Sequence, residues 1–196
     1  MKLKMKKAFY VYGSLVLLVV LTLGVTFAAF SDKAAFTSSI FSVASSDIKL
    51  LDIIGGGTDA SNLVDEKPGP QFEGVTEYWS ADYPVQVYNN ASSDVGLTSH
   101  AEYETANDPA ELRQYIYVEI LDWDDTNGDG QVQQEEFGSS YGIKTIIKWN
   151  TEGFDLGVLP RGEVGSFCLR FTTGNLSDSK QGESLLFDFE VDALGL

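Results

Sequence analysis

The sequence predicts an all-β fold: a β-sandwich or jelly roll with short helical insertions, preceded by a signal-peptide helix. Three observations carry this. Short runs with two-residue apolar alternation recur along the chain, clusters of turn-forming residues separate them, and a lysine-rich start leads into one long uncharged stretch. At 196 residues, 43% apolar and 12% aromatic, the chain can bury one sizeable core.

Residues 1–28 read as the targeting segment. Lys2, Lys4, Lys6 and Lys7 precede an uncharged run from Ala8 to Phe30 that contains SLVLLVVLTLGV and ends in small residues. Cleavage after Ala28 puts Thr26 and Ala28 at the two positions a signal peptidase inspects and makes Ala29 the new N-terminus. The competing reading is an uncleaved anchor, because 23 uncharged residues can span a bilayer.

Two extended segments follow. Phe30, Ala34, Phe36 and Ile40 fall at even positions, then the phase shifts to Phe41, Val43, Ile48 and Leu50. Residues 55–70 (GGGTDASNLVDEKPGP) hold three glycines and two prolines and predict a surface loop. Alternation then predicts strands at 72–79, 84–90, 95–104, 115–122, 163–173 and 183–192. DPAELRQ, with Asp108 ahead of Pro109, predicts one or two helical turns. YGIKTIIKW (141–149) fits either a strand or a short helix.

The charge balance excludes several functions. There are 13 basic and 29 acidic residues; without the four leading lysines the balance is 9 against 29, a net of −20. So acidic a body repels phosphate backbones and anionic headgroups, so neither nucleic acid nor a membrane surface is an expected partner, and membrane contact is confined to an uncleaved signal segment. Cations are the natural small ligands, although many of the carboxylates serve solubility alone. The single cysteine, Cys168, rules out an intrachain disulfide, and its apolar context, FCLRF, predicts a buried, inert thiol.

The most specific motif is DTNGDGQVQQEE at 125–136. It fits a twelve-position calcium loop with Asp125, Asn127, Asp129, Gln131, Gln133 and Glu136 at positions 1, 3, 5, 7, 9 and 12, and Gly130 at position 6. Calcium takes six to eight oxygens, so alternate side chains must turn inward, Gly130 supplies the sharp bend, and Gln131 offers its carbonyl. The strand-like run before the motif predicts a lone loop in a β-domain, with calcium in a structural role. An acidic glycine-rich hairpin that only resembles the motif is the alternative.

The order of features resembles the TasA/camelysin family of exported biofilm-matrix proteins. The resemblance rests on TFAAFSDKA at the signal junction, IFSVASSDIKL, PVQVYNNASSDVGL, LGVLPRGE and SDSKQGESLLFDFEV, and covers about residues 8–196. It implies export through a SipW-type signal peptidase, a jelly-roll domain over 41–196, and a secreted, extracellular structural subunit of fibres or pili. For fibre-forming members it implies head-to-tail self-assembly in which segment 29–40 serves as a donor strand, with Ala29, Phe30, Ala34 and Phe36 entering a neighbour's sheet; other matrix or cell-surface proteins are further candidate partners. Such a strand is physically reasonable, since a freed extended segment can add to a sheet edge, and heterologous contacts of this kind build open filaments. The calcium loop is not a hallmark of that family, which leaves room for a non-polymerising cell-surface binding module that adheres through calcium or binds carbohydrate.

No catalytic residues are expected. Some members of the family have been labelled metalloproteases, but here His100 is the only histidine, and neither HExxH nor GxSxG occurs. Asn90 and Asn175 stand in glycosylation sequons. Tyr78, Trp79, Tyr88, Tyr115, Tyr117, Trp123 and Trp149 could form a carbohydrate-binding face, with core packing the competing use of most of them.

Overall fold

A computed structural model describes residues 35–36, 39–43, 47–71, 75–180 and 183–196. The predicted signal peptide, its junction at Ala28 and Ala29, and the arm residues Phe30 and Ala34 lie outside these.

Two sheets face each other. The five-stranded sheet runs in the order β10 (Phe154–Leu159), β7 (Val95–Tyr103), β13 (Phe187–Gly195), β2 (Ile40–Val43), β5 (Glu66–Pro68). The six-stranded sheet runs β4 (Leu63–Val64), β3 (Ile48–Leu51), β6 (Ser80–Asn89), β11 (Val164–Thr173), β8 (Ile116–Trp123), β9 (Phe137–Thr145). Inward residues of both sheets form one core, including Phe187, Phe189 and Val191 from β13 and Val118, Ile120, Leu169 and Phe171 from the facing sheet. The chain is thus an all-β sandwich.

Alternation explains the long strands. On β13 the buried Phe187, Phe189 and Val191 are interleaved with Asp188, Glu190 and Asp192 at the partly exposed positions. On β7 Val95, Leu97, Ser99 and Ala101 are buried in the same way. Pro84 is tolerated within β6 because β3 pairs with β6 only from Val87 to Asn89, so no ladder bond is lost at the proline.

Several elements differ from the expectation. The strand expected at 72–79 is absent over 75–79, where Val75 makes an isolated bridge and Tyr78 adopts φ 55°; the strand begins at Ser80. Part of the expected surface loop 55–70 forms strands β4 and β5, because β3 and β2 offer it edges to pair with. Segment 141–149 is both alternatives in turn. It is strand to Thr145 and then helix α1 (Ile146–Glu152), where the Thr145 hydroxyl accepts from Lys148 N–H and Gly153 at φ 65° ends the last turn. Helix α1 buries Trp149, whose indole donates to Ser99 Oγ at 3.2 Å, and Asn150 donates to the Ala101 carbonyl. Strand β10 was not foreseen.

The backbone of Ala35–Phe36 (β1) forms no ladder with either large sheet. It pairs in parallel with Ser184–Leu185 (β12), in the register Ala35 to Ser184 and Phe36 to Leu185. Ile40, at the end of the predicted donor segment, is instead the first residue of β2.

Cys168 is fully buried on β11, and burial pushes its thiol up to about 12, with Asp82 adding to the rise. A thiol so placed is unreactive at neutral pH. In the folded protein a disulfide reagent such as DTNB should leave Cys168 unmodified over hours, and one equivalent should react promptly in denaturant; rapid native-state labelling would contradict this.

Candidate metal centre

The acidic loop connects β8 to β9 and closes a hairpin. Trp123 is the register partner of Phe137, and Asp124 N–H donates to the Glu136 carbonyl at 3.0 Å. Both flanks are strands, relieved only by a single 3-10 turn at Gln134–Glu136. The loop therefore sits in a β-domain without the helices of an EF-hand.

Period-two geometry determines what lies beneath it. On β8 Ile116, Val118 and Ile120 join the main core, which leaves Leu121 and Trp123 to the opposite face. There they cluster with Cys168, packed under Ile54, Val132 and Phe137. Val132 comes from the acidic loop and Ile54 from the adjoining 52–57 turn, so these two loops roof a small second core.

Within the loop, side-chain oxygens satisfy successive backbone amides. Asp125 Oδ1 accepts from Asp129 N–H at 3.0 Å and Oδ2 from Gly130 N–H at 2.9 Å. Asn127 Oδ1 also accepts from Asp129 N–H, at 2.8 Å, and Asp129 Oδ1 accepts from Gln131 N–H at 2.8 Å. Asp129 Oδ2 receives the side-chain amides of Asn127 at 3.1 Å and Gln133 at 2.8 Å. Gly128 and Gly130 take φ of 70° and 69°, which lets the backbone curl back on itself. This ties Asp125, Asn127, Asp129 and Gln133 together.

Glu136 stands differently. It is 4% exposed, its Oε2 accepts from Trp123 Nε1–H at 3.1 Å and from Gln133 N–H at 3.2 Å, and its Oε1 is buried with no hydrogen-bond partner. Among the described residues, no three Asp, Glu, His or Cys side chains converge as a metal-holding group, so Glu136 is not gathered with Asp125 and Asp129. The donor chemistry nonetheless fits a hard divalent cation. The candidate ligands offer oxygens, and a buried carboxylate oxygen without a partner carries a desolvation cost that a cation would relieve.

Trp123 is the residue that sequence reasoning missed. It was visible only as one aromatic among seven; its link to Glu136, thirteen residues on, comes from the hairpin that brings Trp123 and Phe137 face to face.

His100 lies on β7, its Nε2 3.6 Å from Asp192 Oδ2, and it packs against Gly153. Glu190, its register partner, has its carboxyl raised by burial and by repulsion from Asp192 and Glu102. Of the aromatics considered for a sugar-binding face, Trp123 and Trp149 are buried, while Tyr78 and Tyr117 are exposed.

Fold and loop together define a class, the β-sandwich with an acidic hairpin loop of calcium-loop spacing. No protein-family model matches the chain, and no curated protein matches it.

Proposed function

We propose that the chain is an exported structural subunit of TasA/camelysin type, a jelly-roll domain that joins its neighbours head to tail through its N-terminal arm and holds calcium in the 125–136 loop. It acts outside the cell, in a matrix or on a surface, and performs no catalysis. The observation that carries this reading is that the described part of the arm joins neither large sheet. Among the described residues, the strands of the two large sheets run from Ile40 to Gly195, whereas Ala35–Phe36 pairs with β12 in a two-residue parallel ladder. A short parallel pair of this kind is weak. An identical arm from a second chain can take the same place beside Ser184–Leu185, with backbone bonds worth about 1 kcal/mol each and pockets for alternate side chains.

The test compares two purified forms by negative-stain electron microscopy. The chain lacking residues 1–28 should form filaments, and the chain lacking residues 1–38 should stay monomeric while keeping the same β-rich circular dichroism. Filaments of equal length from both would remove the arm from the assembly. A form lacking 1–28 that stays monomeric at high concentration would remove the structural role itself.

A further inference from the structure

We propose that Trp123 is a latch on the calcium loop: its indole holds Glu136 outside the ligand group, and cation binding proceeds by breaking that hydrogen bond. The inference rests on the reading of 125–136 as a calcium loop and adds how its occupancy is regulated.

Asp125, Asn127 and Asp129 are already drawn together by the amides of Asp129, Gly130 and Gln131. The first half of the loop is therefore preorganised. The closing ligand, Glu136, is instead bound sideways, with Oε2 shared between Trp123 Nε1–H and Gln133 N–H. Its Oε1 has no hydrogen-bond partner although the residue is only 4% exposed, a desolvation cost that ligation of a cation would relieve. Glu136 and Trp123 also line, with Asp124 and Thr126, an open surface cavity beside the loop.

The two roles of Glu136 compete. Oε2 already accepts two hydrogen bonds, one for each lone pair, so it can join Oε1 on the ion only if one of them is given up, and the one given up is the indole's. The conformer with Glu136 released is a minor one, and apparent affinity falls by its fractional population. Because Trp123 also belongs to the small core with Leu121 and Cys168, its release transmits loading of the loop to the packing beneath.

The experiment uses the chain lacking residues 1–28, calcium chloride as the probe, and calorimetry on wild type, Trp123→Phe and Glu136→Gln. Phenylalanine keeps the ring and loses the N–H. Removing one hydrogen bond to a charged acceptor should tighten calcium binding by roughly tenfold or more in Trp123→Phe, while Glu136→Gln should weaken it. In parallel, the indole N–H resonance of Trp123 in wild type should shift on calcium saturation and exchange faster with solvent, while that of Trp149, bonded to Ser99, stays put. Equal or weaker binding by Trp123→Phe, with an unmoved Trp123 resonance, overturns the latch and leaves the loop standing. Absence of calcium binding by wild type overturns both. Should Trp123→Phe fail to fold, the wild-type resonance decides alone.

Discussion

Replacing Phe189 by alanine should cost about 3–5 kcal/mol of folding stability, the range for a buried phenylalanine cut back to its Cβ. Four elements meet at this ring. Phe41 on the neighbouring strand β2 is its register partner with ring centroids 5.7 Å apart; Phe187 on its own strand lies at 4.6 Å, Phe171 on the facing sheet at 5.6 Å, and Trp149 on α1 at 5.0 Å. All are buried, and Phe189 is fully so. The other rings are anchored on separate backbones and can collapse only partly into the space left, so a cavity term adds to the lost transfer energy. Since a domain of this size is stable by about 5–15 kcal/mol, the variant should be near its unfolding threshold at 37 °C. Urea unfolding should show a lower midpoint at nearly unchanged slope, and Phe189→Leu should recover more than half the loss. A loss below about 1 kcal/mol would mean that the sheets are not held together here.

Alternation made that site legible before any coordinates. FDFEV reads as a half-buried strand because only a period of two places Phe187, Phe189 and Val191 on one face, and the same logic identified β7, β8 and β11. The failures have equally specific causes. The first half of strand β9, with Gly138, Ser139 and Ser140 exposed at a sheet edge, has no apolar rhythm to detect; its pairing partner β8 defines it. Strand β10 is broken by a register shift near Gly157, at φ 80°, which scrambles the alternation of FDLGVL. Strands β4 and β5 exist because edges are available to them, a tertiary effect that local turn chemistry conceals.

The loop shows the same division between local and distant information. The spacing of Asp125, Asn127, Asp129 and Gly130 was readable because each oxygen serves an amide only two to five residues away. Glu136 was readable as a candidate ligand and not as a residue already engaged, because its partner Trp123 acts across the hairpin. In sequence the tryptophan is adjacent to the motif without belonging to it. Only the outward face of β8 makes it part of the site.

A second large effect is expected at Asp108, whose carboxylate is fully buried. The sequence placed it at the head of a helical turn. In the structure it caps the 3-10 turn Leu112–Gln114 from four residues upstream, accepting from Leu112 N–H at 2.6 Å through Oδ1 and from Arg113 N–H at 3.2 Å through Oδ2. Oδ2 also receives Arg113 Nη1 at 2.7 Å, and that guanidinium lies over the Tyr103 ring at 5.3 Å. Such a pair is not a large net gain over an apolar filling, because both charges were desolvated to make it. Breaking one side is another matter. Asp108→Ala strands two backbone donors and an arginine side chain only 11% exposed, with Glu111 at 3.5 Å as its remaining carboxylate. The expected loss is about 3–5 kcal/mol, reduced where water or Glu111 reaches the guanidinium. Asp108→Asn keeps an acceptor for one amide and should lose about half as much. Pairing each change with Arg113→Met separates the causes. If the buried cation dominates, Arg113→Met in the Asp108→Ala background should restore stability; if capping dominates, the double variant should be no better than Asp108→Ala alone. Partial restoration is the expected result, since a guanidinium packed against Tyr103 cannot leave without abandoning the ring, while the Leu112 N–H, buried where it met Oδ1, stays unmet in both variants.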